Sequence, residues 1–240
     1  MSEVQIGKHT RREFRQRMQS GELRACILPV AAMEQHLEHM AMEHDWRSVL
    51  HVALEVARRL QPHVVVAEGL MAGISEHHMR HPGTLSLSPG AFLAVLDDLL
   101  DSIVRAGFRH VLVLNGHGGN VRPCRGVWDQ FLLKYQANIH FLPYWEVLTP
   151  DDAAEVLTSN LKPDLFSPGH AQEFETSFAL AVFPENVRTA MWTDQPDPTP
   201  ALATAEKGRL LLDRIIDRVA VYLREMMDGP RSAIIPPHFP

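Results

Sequence analysis

The densest group of residues able to bind a metal lies between Met33 and Asp45. These thirteen positions hold three Glu, three His and one Asp. They follow the apolar run from Cys26 to Ala32, whose composition predicts a buried strand. Imidazole and carboxylate groups at the end of such a strand favour zinc, manganese or iron over calcium, which prefers oxygen ligands alone. A solvated helix face is the alternative, but it would not usually follow a fully apolar strand.

The spacing of Glu34 and His36 supports this metal hypothesis. In an extended segment, residues two apart point to the same side, so both side chains could reach one centre. Asp45 follows after a loop and could supply a carboxylate that two ions share. Two ions a few ångströms apart would convert a bridging water into a nucleophile at neutral pH.

The loop from Asn115 to Asn120 (NGHGGN) follows an apolar run and precedes a predicted helix. His117 would lie at the end of a strand, where its imidazole could bind a metal and the glycines would allow a close approach. Gly118 is a candidate for substrate contact. The competing interpretation is an anion or nucleotide held by glycine amides at the helix N-terminus. The spacing matches neither the dinucleotide fingerprint nor the Walker pattern.

The segment from His170 to Ser177 (HAQEFETS) is predicted to open a helix that continues to Val182. His170 and Glu173 are three residues apart and would share a helix face, so both could reach one centre. Glu175 would then point elsewhere and could orient a ligand. An ordinary polar helix face is the alternative interpretation of these residues.

Two further residues are candidates for substrate contact. His78 belongs to the segment 75–84 (SEHHMRHPGT), where a Pro-Gly turn would close the loop over the site. Trp145 lies at the end of a predicted strand, and could either line a pocket or belong to the core.

The order of elements predicts a single domain that covers residues 1–240. Predicted helices alternate with predicted strands at residues 26–32, 64–67, 110–114 and 139–145. This alternation is typical of the α/β class, here a three-layer α/β/α sandwich with a mostly parallel central sheet and its site at the carboxyl ends of the strands. We expect a loop at Pro163 to Pro168 and a non-helical tail from Gly229 to Pro240.

The composition argues against nucleic acid and membranes as partners. The formal net charge is −6, whereas phosphate binding needs a clustered basic surface. The two Cys lie far apart in the sequence and indicate neither a disulfide framework nor a thiolate metal site. The amino terminus lacks an apolar signal core, and no apolar run approaches the length of a membrane span. We therefore expect a cytoplasmic protein with a small-molecule substrate.

Together, the motifs resemble the creatininase family of metal-dependent amidohydrolases. Members of that family carry a Glu-x-His pair with a distal Asp, a Pro-Gly-Thr turn, an NGHxxN loop and a HAxExET helix, in this order. The resemblance covers about residues 26–186. The matching residues in this chain are Glu34-Gln35-His36 with Asp45, Pro82-Gly83-Thr84, Asn115 to Asn120, and His170 to Thr176.

The resemblance implies a binuclear centre of two divalent transition metals, which would be zinc, manganese or iron. Glu34, Asp45 and His117 would bind one ion. The other ion would be bound by His36, by the shared Asp45 and by a further Glu. The family also implies a homo-oligomer, commonly a hexamer.

The chain departs from creatininase at Gly119, where that enzyme carries a carboxylate, and the resemblance makes Glu173 the candidate replacement ligand. The motifs predict hydrolysis of a carbon–nitrogen bond in a small cyclic amide or formamide by a metal-bridged hydroxide. Glu173 or His170 would move the proton to the leaving nitrogen. The alternatives are a non-catalytic protein that binds an anion or nucleotide through the NGHGGN loop, and lyase or isomerase chemistry on a sugar-like substrate.

Overall fold

A four-stranded parallel sheet forms the centre of the computed structural model, which describes residues 2–159 and 167–234. The strands lie in the order β2-β1-β3-β4, and each neighbouring pair is parallel. Their bounds are β1 Ala25–Val30, β2 Val64–Val66, β3 His110–Asn115 and β4 Asn138–Pro143. The predicted α/β class with a parallel central sheet is confirmed.

Helices cover both faces of this sheet. Those on one face are α2, α6 and α7, and those on the other include α3 and α4. Their bounds, with two further helices, are α1 Arg11–Gln19, α2 His44–Arg59, α3 Pro89–Arg105, α4 Val121–Tyr135, α5 Pro150–Val156, α6 Glu173–Val182 and α7 Ala205–Asp228.

Alternate residues of β1 enter the two halves of the core. Ile27 packs with the helices α2 and α7, whereas Cys26 and Leu28 pack with α3, and all three are fully buried. Because helices cover both faces, the strand is apolar at every position rather than alternating with polar residues.

The register of the sheet brings the ends of three strands together. Val30 at the end of β1 is opposite Asn115 at the end of β3, and Asn115 is opposite Pro143 at the end of β4. The segments that follow these strands therefore leave the sheet at one edge, which is where an α/β fold places its site.

Local sequence explains where several helices begin. Ser88 Oγ accepts a hydrogen bond from the Ala91 N–H at 3.3 Å, and Pro89 is the first residue of α3, as the sequence predicts. Thr204 Oγ1 accepts from the Lys207 N–H at 3.2 Å in the same way at the start of α7.

The start of α6 differs from the prediction. The helix expected to begin at His170 begins at Glu173. Ala171 has a φ of 53°, which lies in the left-handed region and cannot continue a right-handed helix. His170 therefore lies outside the helix, and the helix face that it was expected to share with Glu173 does not exist.

Parts of two predictions fall outside the described residues. These are most of the loop expected at Pro163 to Pro168, and residues 235–240 of the expected tail. Residues 229–234 form no helix, as predicted. Among the described residues, no helix has both the length and the apolar character needed to cross a membrane.

Candidate metal centre

Five acidic and imidazole side chains meet at the carboxyl edge of the sheet. Glu34 and His36 follow β1, and His117 follows β3. Asp45 and Glu175 lie in the first turns of α2 and α6, where the helix dipole favours negative charge. All five are buried, with no more than 6% of their surface exposed. The parallel register thus brings distant parts of the chain to one site.

Asp45 lies between two imidazoles. Its Oδ1 is 3.1 Å from His36 Nε2, and its Oδ2 is 2.9 Å from His117 Nδ1. Glu34 Oε1 lies 3.5 Å from His117 Nδ1, and Glu175 Oε2 lies 3.9 Å from His36 Nε2. Asp45 is therefore flanked by one Glu-His pair on each side, which is the arrangement of a carboxylate shared by two ions.

Backbone carbonyls select the imidazole nitrogen that faces these carboxylates. His117 Nε2 donates to the Ile74 carbonyl at 3.0 Å, and His36 Nδ1 donates to the Glu34 carbonyl at 3.0 Å. Their other nitrogens face the carboxylates of Asp45 and its neighbours. A nitrogen lone pair opposite a carboxylate needs a proton or a cation between them. The donor set of imidazole and carboxylate therefore fits divalent transition metals.

The pKa shifts in the cluster also show that positive charge would stabilise its buried carboxylates. Burial raises the pKa of Glu34, and burial, with the nearby charge of Asp45, raises the pKa of Glu175 to about 8. Burial opposes charge on His36, yet Asp45 beside it raises the pKa of this imidazole to about 10. Divalent ions would neutralise the same carboxylates in place of protons.

The structure places the ligand predicted on α6 away from the cluster. Glu173 is buried, but its carboxylate accepts hydrogen bonds from the Thr158 N–H at 2.9 Å and the Ser159 N–H at 2.7 Å, and pairs with Lys207 Nζ. The described groups of potential metal ligands include Glu175 but not Glu173. The physical reason is the later start of α6, which turns Glu173 away from the sheet edge.

The departure at Gly119 is built into the backbone. A Cβ atom at this position would lie 2.1 Å from the Ile74 carbonyl oxygen and 2.5 Å from His117 Nε2. The ring of His77 stacks on that of His117, with centroids 5.8 Å apart. The space that a side chain at position 119 would need is therefore filled.

A cavity of about 350 Å³ opens onto the cluster. Four of its lining residues are among those predicted from the sequence to act on substrate, namely His78, Gly118, Trp145 and His170. The structure places all four beside the candidate ligands, while their roles stay predictions. Glu173, the other predicted catalytic residue, does not line this cavity.

Sequence reasoning gave no role to two further residues near the site. Gln35 Nε2 lies 2.8 Å from His78 Nδ1 and 2.8 Å from His170 Nε2, and His77 lines the cavity. The sequence feature that could have indicated a role for Gln35 is its position between Glu34 and His36. In an extended segment that position points to the opposite side from both ligands, toward the neighbouring wall of the site.

Comparison with known proteins agrees with this geometry. Residues 8–202 match the creatininase family, described as creatinine amidohydrolase. Creatinine amidohydrolase of Pseudomonas putida is 30% identical, over 92% of this chain and 96% of that protein. A 3-dehydro-scyllo-inosose hydrolase of Thermotoga maritima is 29% identical over 73% of this chain and 55% of its own length. A mycofactocin precursor peptide peptidase of Mycolicibacterium smegmatis is 31% identical, over 68% and 60% respectively.

Solved structures of creatininase have the same fold. A crystal structure of creatinine amidohydrolase superposes with a TM-score of 0.79 at 28% identity, covering 97% of this chain and 100% of that one. A manganese form gives 0.78 at 27% identity, over 93% and 98%. A mutant of Zn-Zn type also gives 0.78 at 27%, over 94% and 98%. With the buried ligand cluster, these forms identify divalent transition metals as the cofactor. The chain belongs to the creatininase family of metal-dependent hydrolases.

Proposed function

We propose that this hydrolase cleaves a carbon–nitrogen bond of a small cyclic amide or formamide with the help of two divalent ions. The observation that carries the proposal is the position of Asp45 between His36 and His117, at the floor of the cavity. The volume of about 350 Å³ is near the lower end for ligand pockets and suits a small substrate.

The distances support one set of ligands for each ion. We assign Glu34 and His117 to the first ion and His36 and Glu175 to the second, with Asp45 shared between them. Ligand atoms of Glu34, His36 and Asp45 all lie within 4.8 Å of one another. Glu175 takes the place that was predicted for Glu173.

The chain holds these carboxylates in place. Ser75 Oγ donates to Glu34 Oε2, and the Ala171 N–H donates to Glu175 Oε2 at 2.6 Å. Bound ions would supply a Lewis acid for the carbonyl oxygen and lower the pKa of the attacking water. Because the ligands are already oriented, little reorganisation is needed during the reaction.

We assign contact with the substrate to His170. His170 Nδ1 lies 3.6 Å from Glu34 Oε1 at the cavity wall, where its N–H would donate to the substrate. Lys207 already pairs with Glu173, which removes that residue from the reaction.

The same geometry disfavours a protein that binds an anion through the NGHGGN loop. Three buried carboxylates, those of Glu34, Asp45 and Glu175, line the cavity beside this loop. They would repel a phosphate approaching the glycine amides unless metal ions were already bound.

We further propose that the protein is a homo-oligomer of the cytoplasm. The segment that carries His77 and His78 also exposes the apolar side chains of Met71, Met79 and Leu85, which are 45%, 44% and 59% accessible. Exposed apolar residues grouped in one segment are typical of a contact surface. Light scattering of the purified protein tests this, and a monomer at every concentration would refute it.

Metal analysis followed by a substrate screen tests the proposed function. We expect about two zinc or manganese ions per chain, and turnover of at least one compound among cyclic amides and formamides. Asp45→Asn should abolish turnover and lower the metal content, since this carboxylate contacts both imidazoles. Asp98→Asn, on the exposed surface of α3, is the matched control and should behave as the wild type.

Two results would count against the proposal. One is full activity in the Asp45→Asn variant. The other is a protein that holds both ions and hydrolyses no amide. Stabilisation by phosphate or nucleotide in a metal-free sample would instead favour the binding protein.

A further inference from the structure

One side-chain amide links two imidazoles at the cavity wall. Gln35 Nε2 lies 2.8 Å from His78 Nδ1 and 2.8 Å from His170 Nε2. The two rings stack, with centroids 4.4 Å apart and planes inclined by 21°. Gln35 follows the ligand Glu34 in the sequence, but it faces the wall rather than the ions.

The backbone fixes which way the Gln35 amide points. The Leu37 N–H donates to Gln35 Oε1 at 2.9 Å. A backbone N–H can only donate, so the atom opposite it must be the amide oxygen. The NH₂ group therefore faces the imidazoles, and it has one hydrogen for each ring.

This arrangement determines where each ring carries its own hydrogen. A neutral imidazole has one donor and one acceptor nitrogen, and the nitrogens facing Gln35 must both accept. The hydrogens then lie on His78 Nε2 and His170 Nδ1. These atoms are 3.7 Å and 3.6 Å from Glu34 Oε1, so the two N–H groups converge on one part of the cavity.

We propose that Gln35 is a positioning residue that holds His78 and His170 as paired N–H donors for an oxygen of the substrate. At 3.6 and 3.7 Å neither donor makes a normal hydrogen bond to Glu34. The acceptor would be a second carbonyl or carboxylate oxygen, apart from the bond that is cleaved. The identity of that substrate rests on the proposed function, whereas the arrangement of the donors does not.

The same residues could instead hold a third metal ion. Ligand atoms of Glu34, His78 and His170 lie within 4.8 Å of one another. However, a metal needs the lone pair of each ring, and Gln35 already occupies it on both. A neutral imidazole that binds a metal through one nitrogen carries its hydrogen on the other nitrogen, which would have to donate to Gln35. The amide oxygen would then have to face the rings, but the Leu37 N–H holds that oxygen on the opposite side.

Nitrogen NMR of the zinc-loaded enzyme tests the inference directly. Solid-state spectra of protein labelled with ¹⁵N-histidine report which nitrogen of each ring carries the hydrogen, whatever the oligomeric state. His78→Ala and His170→Ala assign the two rings. We expect hydrogen on His78 Nε2 and on His170 Nδ1 in the wild type.

A variant reverses the expected pattern. In the Gln35→Glu variant, the carboxylate at position 35 can only accept hydrogen bonds. Both rings must then donate to it, which places their hydrogens on His78 Nδ1 and His170 Nε2. The matched control is Gln61→Glu, since Gln61 Nε2 donates to the Ser2 carbonyl at the surface. On an amide that the enzyme turns over, Gln35→Glu should lower kcat/KM by about 10- to 100-fold, mainly through KM.

Several outcomes would overturn the inference. They are wild-type hydrogens on the nitrogens that face Gln35, a third zinc ion bound to either ring, or a Gln35→Glu spectrum identical to that of the wild type. If Gln35→Glu does not fold, the wild-type spectrum alone decides. The expected spectrum without any amide turnover would contradict the proposed function and leave this inference standing.

Discussion

Glu173 and Glu175 lie two residues apart in the first turn of α6, and both are buried, yet their environments are opposite. Backbone N–H groups and Lys207 surround Glu173 and, against the effect of burial, lower its pKa. Burial raises the pKa of Glu175 to about 8, and Asp45 adds to this rise. The chain compensates the charge of the first carboxylate more fully than that of the second.

The difference shows how one helical turn can serve structure and chemistry together. Residues two apart on an α-helix point in nearly opposite directions, so only one of the pair can face the edge of the sheet. Glu175 faces it and lines the cavity, whereas Glu173 holds the amides at positions 158 and 159 against α7. A buried carboxylate with its own lysine is not available to a metal ion.

The largest expected effect comes from neutralising each carboxylate in turn. Glu175→Gln should lower the metal content from two ions to about one, and kcat/KM by about 1000-fold. Loss of residues that only orient ligands costs about 10- to 100-fold, and loss of a ligand costs more. Glu173→Gln is the matched control and should keep both ions. Elemental analysis checks this, and loss of an ion from Glu173→Gln alone would reverse the comparison.

A second effect is on stability, through the partner of Glu173. Lys207→Met leaves a buried carboxylate without its counterion, and should lower the free energy of unfolding by about 3 kcal/mol. Chemical denaturation of the metal-loaded protein measures this value.

The double variant sharpens the same measurement. Glu173→Gln with Lys207→Met removes both charges and should recover about half of the loss, because no unpaired charge remains buried. If the losses of unfolding free energy in Glu173→Gln and Lys207→Met simply add in the double variant, the ion pair does not account for the position of Glu173.

The third and smallest effect is an opposite pH dependence of the two carboxylates in metal-free protein. The folded pKa of Glu175 is about 8, above the ordinary 4.5, so this group lowers stability as pH rises from about 4.5 to 8. The folded pKa of Glu173 is below 4.5, so its contribution is full above that pH and is lost on acidification. The free energy of unfolding of Glu175→Gln should therefore increase relative to that of the wild type, by about 1 kcal/mol or more as pH rises to 8.

In that experiment, the stability difference between Glu173→Gln and the wild type should change with pH in the opposite direction. Its deficit relative to the wild type should shrink below pH 4.5, where the native carboxylate also gains its proton. Parallel curves for the two variants across this range would mean that their environments do not differ as described.

Most of the fold was predictable from the sequence because its signals are local. The apolar run from Cys26 to Ala32 and the cap at Ser88 act on neighbouring residues only. The run forms β1, which ends at Val30, and the cap begins α3 as predicted. The cluster of Glu34, His36 and Asp45 follows from one strand end in the same way.

The sequence does not decide which carboxylate of α6 faces the cluster, for a physical reason. The choice between Glu173 and Glu175 depends on the left-handed backbone conformation of Ala171. Alanine rarely adopts this conformation, so the sequence does not indicate it. It also depends on Lys207, which is distant in the sequence and reaches Glu173 only in the folded chain. Neither fact leaves a pattern in the segment itself.

The proposed ligands of the centre come from positions that span Glu34 to Glu175, and this separation links the protein to the metal supply around it. An unfolded chain offers no assembled site, so ions bind the native state alone. Each tenfold rise of free ion above its dissociation constant then adds about 1.4 kcal/mol per site to the stability of the native state. Scarcity of zinc or manganese would therefore reduce the lifetime of the folded chain as well as its turnover, and so its abundance in a cell.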